Sequence, residues 1–161
     1  MSVDPSFERA VLAELARREK RVRLSESSHG ARALAHRLHR RSPDVLAHLR
    51  RVATAVPSRF HAVAWLHHAG ETGVTPRSLK AAGLTPDEVA AIDLLTTART
   101  ERSLVQRARE LSKAPGRAGR LARVVLRAAI EDRLHCAPGD LDASSALLLL
   151  PDPRLAMDSR S

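Results

Sequence analysis

Phe7, Phe60 and Trp65 are the only aromatic residues that 161 positions supply, and tyrosine is absent altogether. A β-sandwich or barrel fills its interior with aromatic and β-branched side chains, so a chain this poor in rings is badly equipped to build one. The 43% of hydrophobic residues is carried mainly by Ala, Leu and Val. Alanine and leucine are the strongest apolar helix formers, and they suit helices that approach one another closely. The length fits one domain with a core of useful size. The expected fold is all-α, a compact multi-helix array.

Proline and glycine divide the chain into helical stretches. Asp4-Pro5 opens the first, where Phe7, Val11, Leu12 and Leu15 recur at three- and four-residue steps and form one apolar face. The run from Arg17 to Arg23 is polar nearly all round, and Ser25 to Gly30 reads as a loop. Beyond it a second helix carries Leu34, Leu38, His36 and His39. Ser42-Pro43 and Pro57-Ser58 start the next two, the latter running to Gly70. Thr75-Pro76 starts a short helix that Gly83 ends. Thr85-Pro86-Asp87-Glu88 is a capping box with proline at the first helical position. Further helices are expected from about Glu101 to Ser112, from about Arg117 to His135, and over Leu147 to Leu150. The division that follows is an N-terminal helical extension over 1–30, a helical domain over 31–150 and a flexible tail over 151–161.

The formal charge of +9 comes from 27 basic residues against 18 acidic ones, with only Lys20, Lys80 and Lys113 as lysine. Such an excess attracts polyanions: nucleotides, nucleic acid or acidic proteins. No apolar run approaches the roughly 20 residues of a membrane span, so no membrane partner is expected. The first residues lack the basic-then-apolar order of a secretory signal, and the single Cys136 suits a reducing compartment. A cytoplasmic location is expected.

Eight histidines stand out in a chain of this length. His36 and His39 share a helix face, and His135-Cys136 falls at a helix end, where a histidine suits the negative pole. His29 falls in the expected loop and His61 near a rim. His48, on one expected helix, and the adjacent His67-His68, toward the end of the next, are placed to converge.

The surroundings of those three carry a resemblance. The segments His48-Leu-Arg-Arg-Val-Ala53, Ala64-Trp65-Leu66-His67, Glu71-Thr72-Gly73-Val74-Thr75, Leu79-Lys-Ala-Ala-Gly83, Val89-Ala-Ala-Ile-Asp-Leu-Leu-Thr96 and Leu121 to Leu134 occur in an order and spacing similar to one known family. The stretch from about Leu34 to Leu134 resembles the HD-domain metal-dependent phosphohydrolases, in the small subgroup similar to guanosine-tetraphosphate hydrolases. The resemblance implies an HD-like helical array. It also implies a divalent metal (Zn, Fe or Mn) with His48 and His67 as its first two ligands, and a nucleotide or other phosphate-bearing ligand.

Two ligand positions depart from the family. His68 stands where the motif has aspartate, and Ala129 stands where the downstream ligating aspartate falls. The catalytic Glu-Asp pair is reduced to Glu71-Thr72, which leaves Glu71 as the catalytic acid, and Asp132 survives nearby as an accessory acid. A carboxylate about 4 Å from a unit charge at an effective dielectric of about 20 contributes roughly 4 kcal/mol, and a dication feels each one more strongly. Losing two removes most affinity for Mn²⁺ or Mg²⁺, so the first expectation is an impaired hydrolase, without metal if the site is dead. Three histidines are also a zinc set with one position left for water, so a retuned zinc or iron site is the second. Adjacent helical residues point about 100° apart, so both His67 and His68 reach one ion only if it lies between them.

A third reading is a non-enzymatic module in which Arg50, Arg51, Arg77 and Arg127 hold a nucleotide or nucleic acid. Residues 75–92 read as two short helices about a glycine turn, as in a helix-turn-helix. Against it, the second of these begins Pro86-Asp87-Glu88, and an acidic first turn faces phosphates badly.

Overall fold

The computed structural model describes residues 5–97 and 103–152, and among them all regular structure is helical. The helices are α1 (Pro5–Leu38), α2 (Pro43–Ala55), α3 (His61–Leu66), α4 (Pro76–Ala81), α5 (Pro86–Thr97), α6 (Leu104–Lys113), α7 (Gly116–Cys136) and α8 (Leu141–Leu148). Short 3-10 turns over Ser58–Phe60 and Ala69–Thr72 bracket α3. The all-α expectation holds.

The core is aliphatic, as the composition requires. Leu49, Leu66, Leu95, Leu111 and Ile130 are its largest fully buried side chains. Each stabilises the fold by about 1.5–3 kcal/mol relative to exposure. In α3, Ala62 to Leu66 are buried on every side, which marks the centre of the molecule. α1 and α2 pack against α3, while α7 runs beside α2, α5, α6 and α8. The buried face of α7, including Leu121, Ala122, Val125, Leu126 and Ile130, follows three- and four-residue steps.

Several expected boundaries shift. Ser25 to Gly30 is not a loop but part of a single helix from Pro5 to Leu38. Tertiary contacts override local composition there. Ser27 is fully buried and donates to Glu88 Oε1 at 3.3 Å. Gly30 presses so closely on α4 that a Cβ would lie 1.9 Å from the Ala82 carbonyl oxygen. The expected boundary between residues 30 and 31 therefore falls inside α1. Leu12 and Leu15, from the expected apolar face, are 60% and 51% exposed; the side chains of Phe7 and Val11 lie outside the described residues. The last helix begins at Leu141, six residues before the expected apolar run, because Asp140 caps it by accepting from the Ala143 N–H at 3.0 Å. The start expected at Glu101 and the tail from 153 also lie outside the described residues.

The capping box at Thr85 is present: the Thr85 N–H donates to Glu88 Oε2 at 2.8 Å and the Glu88 N–H to Thr85 Oγ1 at 3.3 Å. The two helices of the suggested helix-turn-helix exist, but α5 buries Glu88, Val89, Ala91, Ile92 and Leu95. Its exposed stripe, Pro86, Ala90, Asp93 and Thr97, carries no basic side chain to meet a phosphate.

Candidate metal centre

Three histidines from two parts of the chain converge on one point. His48 comes from the middle of α2. His67 and His68 follow the last residue of α3, where the chain leaves α-helical geometry: ψ is −12° at His67 and −1° at His68. This break, rather than the 100° step of an ideal helix, brings adjacent side chains toward the same place. Gly70 allows the following 3-10 turn to lie against α5, since a Cβ there would stand 2.0 Å from Thr96 Cγ2.

One ring nitrogen from each of His48, His67 and His68 lies within 4.8 Å of the others. The His67 and His68 ring centroids are 4.5 Å apart, and each is 5.2 Å from that of His48. His67 is buried, and the other two are partly exposed.

The other side of each ring fixes its tautomer. His67 Nδ1 is 2.6 Å from the Ala64 carbonyl oxygen, which only accepts, so Nδ1 carries the proton. His48 Nδ1 donates to Asp132 Oδ2 at 2.6 Å, and His68 Nδ1 donates to Glu71 Oε2 at 3.2 Å. Every Nε2 in its neutral form is thereby left with a lone pair. His48 Nε2 and His67 Nε2 face each other at 3.2 Å. Two lone pairs at that distance repel unless a cation, a proton or a metal ion, lies between them. Nitrogens bound at 2.0–2.1 Å to a tetrahedral zinc are about 3.3 Å apart, so the spacing of the His48–His67 pair matches such an ion. These three histidines are positioned to hold a metal.

Two carboxylates stand one hydrogen bond behind the ring nitrogens. Asp132, on α7, accepts from His48 and also from Arg51 Nε at 2.6 Å and Arg51 Nη2 at 3.0 Å. The Arg51 guanidinium holds the Asp132 carboxyl below the usual carboxylate range, and the bond to His48 adds to this against the opposing pull of burial. Asp132 is ionised at neutral pH and supports His48 as a donor.

The centre opens into a cleft of about 320 Å³. α7 lines it with Ala129, Asp132, Arg133 and Cys136, one helical stripe, and Arg51 and Arg107 add positive charge. Of the four arginines expected to surround a phosphate, Arg51 lines the cleft. Arg50 and Arg77 are exposed, and Arg127 bonds Glu131 Oε1 at 3.0 Å and the Leu150 carbonyl at 2.9 Å. Arg107 and Arg133 escaped the sequence reading. Stepping along α7 from Ala129 finds Arg133; α6 lies outside the segments that carry the family resemblance, so nothing signalled Arg107.

Ala129 does line the cleft. Glu71, expected as the catalytic acid, has its carboxylate on His68 and a side chain half exposed. His135 is exposed, and Cys136 ends α7 with its thiol 4.0 Å from Arg51 Nη2. His61 bonds the Val56 carbonyl at 3.1 Å, and the His36 ring lies 5.7 Å from that of Trp65. Among the described residues no helix is long and apolar enough to cross a membrane. No protein-family model matches the chain, and no curated protein or solved structure matches it.

Proposed function

We propose that the chain is a metal-dependent protein of the HD phosphohydrolase type, with one zinc-class ion held by His48, His67 and His68. Its ligand is a phosphate-bearing molecule, a nucleotide or other phosphate ester, and hydrolysis of that ester is its retuned reaction. The observation that carries this reading is the tautomer pattern: all three Nδ1 atoms are engaged by oxygen acceptors, which leaves three Nε2 lone pairs as donors. Imidazoles suit zinc and iron, whereas manganese favours oxygen. When bound, such an ion lowers the pKa of its water and neutralises charge on a phosphate.

The chain's own residues support the rest. Arg107 lines the cleft beside Arg51 and Arg133, which are paired with Asp132 and Asp140, and the volume of the cleft suits a small ligand. A second reading, a centre that binds its ligand with little turnover, is favoured by Glu71: its carboxylate is committed to His68 instead of standing ready to take a proton from water. A reducing cytoplasm is the setting we propose, in keeping with the single Cys136.

The test is metal analysis of untagged protein with assays on p-nitrophenyl phosphate and nucleotides. About one zinc or iron per chain, lost in His48→Ala together with hydrolysis, is expected. Metal-free protein unchanged by His48→Ala would refute the centre. Metal-loaded protein that binds phosphate esters without cleaving them would establish the second reading.

A further inference from the structure

The Arg51 guanidinium closes on the carboxylate of Asp132 through both Nε and Nη2. This fork uses both oxygens of Asp132 and fixes the plane of the carboxylate. Oδ2 is then held 2.6 Å from His48 Nδ1. A side chain whose Nδ1 is fixed has its Nε2 direction fixed as well. Here that direction meets His67 Nε2 at 3.2 Å. His67 is set independently, by the Ala64 carbonyl three residues earlier. His48 has no such local anchor: its partner comes from α7, 84 residues away.

From this geometry we infer that Arg51 is a positioning residue of the metal centre, acting through Asp132 to aim His48. The inference rests on the proposed metal reading and adds a specific demand. Lysine cannot replace Arg51, because an ammonium is a point charge without the planar fork. The positive charge alone opposes a bound cation, so any gain from Arg51 must come from geometry. Arg51→Lys keeps the charge and removes the fork, which separates the two contributions.

The experiment titrates Co²⁺ and Zn²⁺ into the full chain and its variants Arg51→Lys, Asp132→Ala and the double variant. Affinity and the visible absorption of the cobalt form are followed, with metal-free melting temperature as the control for folding. Loss of an outer partner of a metal-bound histidine lowers affinity 10–100-fold. Asp132→Ala is expected in that range and Arg51→Lys at about tenfold. Arg51→Lys should also alter the cobalt spectrum at saturation and add nothing once Asp132 is gone. Asp132→Asn serves the same purpose should the alanine variant fold poorly. Wild-type affinity in Arg51→Lys, or losses that multiply independently in the double variant, would overturn the role of Arg51 while leaving the metal centre standing. A wild-type chain that takes up neither ion removes the centre itself, and the role of Arg51 with it.

Discussion

Nε2 of His48 lies 3.2 Å from Nε2 of His67, and each ring already spends its Nδ1 proton on an oxygen acceptor. The pair is therefore built around a shared cation. If that cation is a metal, binding it is linked to folding, since the unfolded chain does not hold the three rings together. A ligand present at about 100 times its Kd stabilises the folded state by about 2.7 kcal/mol. We expect added Zn²⁺ to raise the melting temperature by several degrees, a chelator to reverse the rise, and His67→Ala to abolish it. Thermal melts at fixed protein concentration decide this; a melting temperature indifferent to zinc would count against the centre.

Where the family resemblance expects two metal-binding carboxylates the chain has His68 and Ala129, and the carboxylates of Asp132 and Glu71 stand one hydrogen bond behind the histidines. Putting carboxylates back on the ion should change which metal is preferred. In His68→Asp with Ala129→Asp, two oxygen ligands join His48 and His67, and Ala129 already lines the cleft. The expected outcome is a shift from zinc toward Mn²⁺, with nucleotide hydrolysis rising above that of the parent. Competition between the two metals, read by elemental analysis, measures the first; phosphate release measures the second.

Gly70 seats the 3-10 turn that follows the histidine pair against α5. A Cβ at this position would lie 2.0 Å from Thr96 Cγ2 and 2.3 Å from Thr96 Oγ1, and a β-branched threonine gives way poorly. Gly70→Ala should cost about 1–3 kcal/mol by overpacking and weaken metal binding by displacing His68. Thr96→Ala in the same chain should recover part of both losses. Denaturant unfolding alongside metal titration checks the pair.

Much of the architecture was legible from residue chemistry. The aromatic poverty pointed to helices, and Ser42-Pro43, Thr75-Pro76 and Thr85-Pro86 each mark a helix start that is present. His48, His67 and His68 were singled out together, and they do come together. What escaped depends on contacts remote in sequence. Asp132 reads as an accessory acid until α7 is seen to lay it on His48, 84 residues away. The continuity of α1 through Ser25 to Gly30 has the same origin, since local composition there favours a loop and the partners of Ser27 and Gly30 lie on α5 and beside α4.

Asp140 gives the pH dependence a definite sign. The Ala143 N–H that it caps, and then the Arg133 guanidinium at 2.6 Å, hold its carboxyl below the ordinary aspartate range. A folded-state pKa below the unfolded one means that the stabilisation is complete above the unfolded value of about 3.9. It is lost as pH falls through the lower folded value. Asp140→Asn keeps a capping oxygen without the titrating charge. Its unfolding midpoint should therefore fall less steeply than that of the wild type as pH drops below about 4. Parallel acid-side slopes for the two proteins would remove Asp140 as the source.

Glu88 ties α1 to α5, in addition to the packing of α1 on α3. The residue is 3% exposed, and its carboxylate caps α5 through the Thr85 N–H and accepts from the buried Ser27 hydroxyl of α1. Truncating it leaves Thr85 without its capping partner and removes a partner of Ser27. Hydrogen bonds of this kind to a charged group contribute about 1.5–3 kcal/mol each. Glu88→Ala should therefore destabilise the chain by about 2–4 kcal/mol, the two sites sharing one lost carboxylate. The effect should be uneven: amide hydrogen exchange should quicken most around Ser27 to Ala35 and at the start of α5, and least in α7. Uniform acceleration across all helices would mean that Glu88 supports the fold globally and does not secure α1 in particular.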